Sequence, residues 1–101
     1  MSDETREKRE IREIRLFCDY SAEWPVWAED GLTSPERLGL SPALAEKLRV
    51  WNEYFQANAH WDKNYLVSKE SDALWAAEGR RLAEHLQREL GPDVTVLYDE
   101  R

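Results

Sequence analysis

A single cysteine, Cys18, leaves no second thiol for an intramolecular disulfide. The fold must therefore stand without covalent staples, and a reducing, cytoplasmic compartment is expected. Apolar runs are scarce too. No stretch approaches the ~20 apolar residues that a membrane-spanning helix needs, and the opening SDETREKRE has no apolar core of a secretory signal. Basic residues are in deficit: 14 Lys and Arg stand against 21 Asp and Glu, a formal charge of −7. An acidic surface repels phosphate backbones, which argues against nucleic acid, and it attracts a basic protein. The four glycines are scattered, with no GxGxxG or GxxxxGKS/T arrangement and hence no phosphate-cradling loop. Histidine is limited to His60 and His85, without a CxxC or HExxH companion, so no metal or cofactor is expected.

What the 101 residues do hold is aromatic mass, with tryptophans at 24, 27, 51, 61 and 75. The clearest element around them is SPALAEKLRVWNEYFQAN, residues 41–58. Ser41 is suited to cap a helix and Pro42 to open it. Leu44, Leu48, Trp51 and Phe55 recur at helical spacing on one face, while Glu46, Lys47, Arg49, Asn52, Glu53 and Gln56 fill much of the rest. Residues 71–90 read as a second helix, with Ser71 as N-cap and a stripe of Trp75, Gly79, Leu82, Leu86 and Leu90. Gly79 costs about 1 kcal/mol against alanine in a helix interior, and close approach of a bulky neighbour such as Trp51 explains it. Gly91-Pro92 ends this helix.

Two segments alternate like strands. In 13–20, Ile14, Leu16, Cys18 and Tyr20 share one face. In 94–99, Val94, Val96 and Tyr98 do so. Between the first strand and the main helix lie Trp24-Pro25-Val26-Trp27, an edge strand or extended loop, and Ser34–Gly39, one short helical turn. Residues 1–10 read as a disordered or frayed helical polar tail, and Ala59–Glu70 as a connector whose His60, Trp61, Asp62, Asn64 and Tyr65 are expected to resist a regular element. Residues 11–101 are thus expected to form a single α+β domain of two layers. Helices of about 41–58 and 71–90 pack on a small two- or three-stranded sheet, with strand 13–20 beside strand 94–99. A connection through both helices favours a parallel, right-handed crossover.

The segments IRLFCDYSAEWPVW, LGLSPALAEKLRVWNEYF and EGRRLAEHLQRELGPDVTVLYDE resemble a group of small acidic proteins of actinobacterial type. The resemblance implies that strand, Trp-Pro-x-Trp loop, two helices and strand form one unit. It implies no activity.

No motif specifies a reaction. Cys18 lies mid-strand among apolar residues, where a thiol behaves as a small hydrophobe. Serines 34, 41 and 71 are explained as caps. Asp19, Glu23, Glu29 and Asp30 are unremarkable in so acidic a chain and do not mark an acid–base pair. The expected function is a non-enzymatic protein-interaction module, adaptor, antitoxin-like or immunity-like, with a basic protein partner; a sheet edge also offers a route to a homodimer. The alternative is a small enzyme or small-molecule-binding protein using segment 19–27. In either case the binding residues expected are Asp19, Tyr20, Glu23, Trp24 and Trp27, because no regular element accounts for the last two. On a strand, positions 24 and 27 face opposite ways, so at least one indole should be partly exposed.

Overall fold

Two Ser-Pro steps, seven residues apart, each start a helix, and the rest of the chain is arranged around the second. The computed structural model describes residues 11–59 and 68–99. The expectations for tail 1–10 and for His60, Trp61, Asp62, Asn64 and Tyr65 lie outside the described residues. The order is β1 (Glu13–Leu16), β2 (Val26–Ala28), β3 (Gly31–Leu32), α1 (Pro35–Leu38), α2 (Pro42–Asn58), α3 (Lys69–Leu90) and β4 (Thr95–Tyr98).

Ser34 caps α1 by accepting from the Arg37 amide at 3.1 Å, and Gly39 ends it at φ 67°, a left-handed conformation that glycine takes without a Cβ penalty. Ser41 caps α2 by accepting from the Leu44 amide at 3.2 Å. The whole apolar stripe of α2, Leu44, Leu48, Trp51 and Phe55, is buried. The third helix starts a turn earlier than the expected Ser71. Ser68 is the cap, its hydroxyl accepting from the Ser71 amide at 3.0 Å and its carbonyl from the Asp72 amide at 2.9 Å. Both serines are competent caps, but the earlier start adds intrahelical hydrogen bonds and sets Glu70 as well as Asp72 in the first turn, where the helix dipole favours carboxylates. Trp75, Gly79, Leu82 and Leu86 are buried as the stripe requires.

Among the described residues the sheet is four-stranded and mixed, ordered β3-β2-β1-β4. β1 and β4 are neighbours and parallel, with Ile14 opposite Val96 and Leu16 opposite Tyr98. β2 pairs antiparallel with β1 and with β3. The expectation of two or three strands thus falls short by the two-residue β3, too short to show a period. Strand 13–20 keeps its ladder only to Leu16. Ile14, Leu16 and Cys18 are buried together, but Tyr20, expected on the same face, is 47% exposed. A turn at 19–22 breaks the alternation and re-aims it. Asn52, read from sequence as surface, is 2% exposed. It sits at the margin of the α2 stripe and is buried by that same turn.

The two long helices cover one face of the sheet, and their side chains join those of β1 and β2 in one hydrophobic cluster. Where the helices cross, the indoles of Trp51 and Trp75 stack with centroids 4.5 Å apart and planes 8° from parallel. Each donates to the other's backbone: Trp51 Nε1 to the Trp75 carbonyl at 2.9 Å, and Trp75 Nε1 to the Trp51 carbonyl at 3.2 Å. Both buried N–H groups are thereby satisfied, which a stacked pair alone would not achieve.

The far ends of the same helices are joined by one carboxylate. Glu89 near the end of α3 accepts from the Ser41 amide at 2.9 Å and from its hydroxyl at 2.5 Å, and lies 3.3 Å from His85 Nε2. The Ser41 hydrogen bonds, with a smaller contribution from His85, hold the Glu89 carboxyl below its ordinary value of 4.5. A carboxyl whose folded value is depressed stabilises the fold above its unfolded value and loses that contribution as pH falls through the folded one. Denaturant midpoints should therefore drop as pH falls below 4.5, and Glu89→Gln should flatten part of that drop while leaving the neutral-to-basic range unchanged in slope. An identical acid limb in wild type and variant would show that Glu89 does not couple the helix ends.

Candidate binding surface

The Asp19–Ala22 turn is where β1 leaves the sheet. The Ala22 amide donates to the Asp19 carbonyl at 3.1 Å, and the Asp19 carboxylate accepts from the Tyr20 amide at 2.9 Å. Ser21 lies at φ 68°, the one described non-glycine residue in the left-handed region, a conformation that costs of order 1–3 kcal/mol unless its surroundings impose it. Helix α2 does so. Gln56 accepts from the Ser21 amide at 3.0 Å and donates to the Asp19 carbonyl at 2.8 Å, and Asn52 Nδ2 donates to the Ala22 carbonyl at 3.0 Å. The Tyr20 ring packs against Phe55, centroids 5.4 Å apart and planes tilted by 49°. The outcome is a pinned turn that holds a tyrosine half out of the surface between two acids.

The five residues expected to act together are divided by this geometry. Asp19, Tyr20 and Glu23 are exposed at the turn. Trp24 points inward, only 7% exposed, its Nε1 donating to the Thr33 hydroxyl at 3.3 Å. That hydroxyl in turn donates to the Val26 carbonyl at 2.9 Å. Trp27 lies on the opposite face of the sheet, half-buried, stacked on Phe17 at 4.9 Å and donating to the Phe17 carbonyl at 3.1 Å. Trp24 precedes β2, and Trp24, Pro25 and Val26 are buried in a row, so the segment leading into the strand does not alternate; within β2 the period sets Trp27 opposite Val26.

Beside Trp24 opens a cleft of about 520 Å³ whose walls include Glu23, Leu32, Thr33, Glu46 and Arg49. Glu23 links it to the turn, so turn and cleft form one flank along α2. Arg49 lies between Glu46 and Glu53 and pairs with both. The Arg49 guanidinium holds the Glu46 carboxyl below its ordinary range, and the two glutamates push Arg49 further up. With Asp19 and Glu23, this flank sets four carboxylates against one guanidinium. Sequence reasoning missed Asn52 and Gln56, the residues that shape it. The signal present was faint: two carboxamides at i and i+4 bordering an apolar stripe.

A second, more apolar groove of about 530 Å³ runs between α2 and α3, floored by Trp51 and Trp75 and bordered by Val50, Tyr54 and Leu74. Leu74 is 71% exposed. Among the described residues no three His, Cys, Asp or Glu converge on a metal-sized site, and no helix is long and apolar enough to cross a membrane.

A family model described as "Serratia CdiI immunity protein-like" matches residues 12–101, nearly the whole chain. No curated protein matches it.

Proposed function

The chain belongs to the Serratia CdiI immunity protein-like family, and from that membership we propose that it acts as an immunity protein, a non-enzymatic module that silences a basic protein toxin by binding it. The observation that carries the choice of surface is the pinned Tyr20 turn. A ring held by Phe55 and a backbone held by Asn52 and Gln56 lose little freedom on binding, which is what an interface anchor needs. The flanking Asp19, Glu23, Glu46 and Glu53 supply charge that speeds encounter with a basic partner. Trp24 braces the cleft wall behind Glu23 and Trp27 supports the sheet from its other face, so Asp19, Tyr20 and Glu23 make the direct contacts.

The test begins with capture of the partner by the tagged chain, its identification by mass, and titration of the two purified proteins. Binding should weaken steeply as salt rises. Tyr20→Ala should cost about 2 kcal/mol or more of binding, roughly thirtyfold in Kd. Asp19→Asn with Glu23→Gln should slow association more than it speeds dissociation. If Leu74→Ser abolishes binding while Tyr20→Ala does not, the partner sits in the α2–α3 groove and the flank reading fails.

A further inference from the structure

Among the described residues the sheet ends on β4, a strand whose Thr95-Val96-Leu97-Tyr98 carries no charge and no proline. Such an edge is a ready template for another strand. On its inner side the Thr95 amide donates to the Arg12 carbonyl at 2.8 Å and the Asp99 amide to the Leu16 carbonyl at 3.0 Å. Alternation along the strand then turns the Val94 carbonyl and the Val96 amide outward. One side chain from α3 takes both. Gln87 Oε1 accepts from the Val96 amide at 3.0 Å, and Gln87 Nε2 donates to the Val94 carbonyl at 2.6 Å and to the Gly91 carbonyl at 3.0 Å.

A carboxamide carries the same donor and acceptor as a peptide unit. Bonded to the carbonyl before Thr95 and the amide after it, Gln87 reproduces the bridge that a residue of an added parallel strand would make. We propose that Gln87 guards this edge, standing in for a strand and keeping a second copy of the chain from adding to the sheet at β4. A second copy is the occupant that the edge fits. The four strand residues themselves carry no charge, so the paired segment sets no like charges opposite one another, and a two-fold pairing of identical edges is self-complementary. The guard sits late in α3 because the Gly91 turn brings the chain straight back alongside the helix end, which sets β4 within reach of position 87. Any partner bound by the acidic flank of α2 leaves this edge untouched, so the guard is independent of that surface.

Gln87→Leu, similar in size but without donor or acceptor, tests it by light-scattering mass across a concentration series and by amide exchange. In the variant, exchange of the Val96 amide should be about tenfold faster in dilute solution. The mass should rise with concentration above that of wild type, with Val96 regaining protection as it does. Wild-type mass at every concentration overturns the proposal, even if Val96 exchange is faster, because the bonds then only shape the α3–β4 turn. A rise in mass without a return of protection at Val96 overturns it too, since association then uses another surface. Should Gln87→Leu not fold, Gln87→Asn, one methylene too short to reach both groups, is read in the same way.

Discussion

Replacing Trp51 by alanine should unfold the protein at a temperature lower by on the order of 15 °C or more. A buried tryptophan truncated to alanine costs about 3–5 kcal/mol, and in a domain this small each kcal/mol moves the midpoint by about 4–8 °C. Trp51 is only 4% exposed and stands where α2, α3 and β4 meet. It stacks on Trp75 at 4.5 Å, lies 6.2 Å from the Tyr98 ring and closes the reciprocal hydrogen bonds between the helices. The alanine variant loses the ring, half of the stack and one of those bonds, and it leaves the Trp75 ring facing a void. Trp51→Phe should separate the terms. It keeps a stackable ring and loses the Nε1–H, so about 1–2 kcal/mol is expected. Paired thermal and denaturant melts check both variants. A Trp51→Ala protein melting within a few degrees of wild type would show that the crossing is not held by this clasp.

The second large effect runs against helix propensity. Gly79 to alanine in a helix interior should add about 1 kcal/mol of stability if only the backbone counted. Here a Cβ at position 79 would sit 2.5 Å from Tyr98 Cζ and 2.7 Å from Trp51 Cζ2, and against the Tyr98 hydroxyl oxygen. The two carbons are ring atoms, not the ends of flexible chains, and Trp51 is locked by its stack and its hydrogen bond. Neither ring can step aside without moving β4 or opening the clasp, so the overpacking cost of about 1–3 kcal/mol or more outweighs the propensity gain. Gly79→Ala should be destabilised by about 2 kcal/mol net. Tyr98→Leu should relieve much of the clash, so that the double variant is destabilised by less than the sum of the two single ones. A Gly79→Ala protein as stable as wild type would mean that α3 lies further from β4 than the contacts at Gly79 require.

Gly79 also shows where sequence reading reaches its limit. A glycine inside a good helix is legible as a close approach, and Trp51 was the right neighbour to name for it. That Tyr98 is there as well depends on which strand runs beneath α3, and no local pattern carries that. The same division holds for the candidate surface. Asp19, Tyr20 and Glu23 stand out as an acidic, aromatic stretch at the end of a strand, but the inward aim of Trp24 was not legible, since Trp24, Pro25 and Val26 are buried in a row with no period of two. The left-handed Ser21 was not legible, because it depends on Asn52 and Gln56, whose bonds to the turn span 30 to 37 residues of chain.

The chain by itself determined its two long helices, since apolar stripes at spacings of three and four and serine caps act within a few residues. It also determined that its first and last strands lie side by side, because a crossover through two helices on one face leaves little other choice. Only the tertiary structure decided the turn that presents Tyr20, the reciprocal tryptophan clasp and the closing of the β4 edge by Gln87. Each rests on hydrogen bonds between a side chain of one element and backbone outside that element, and such a bond is specified by where two parts of the chain come to rest rather than by either element's own pattern.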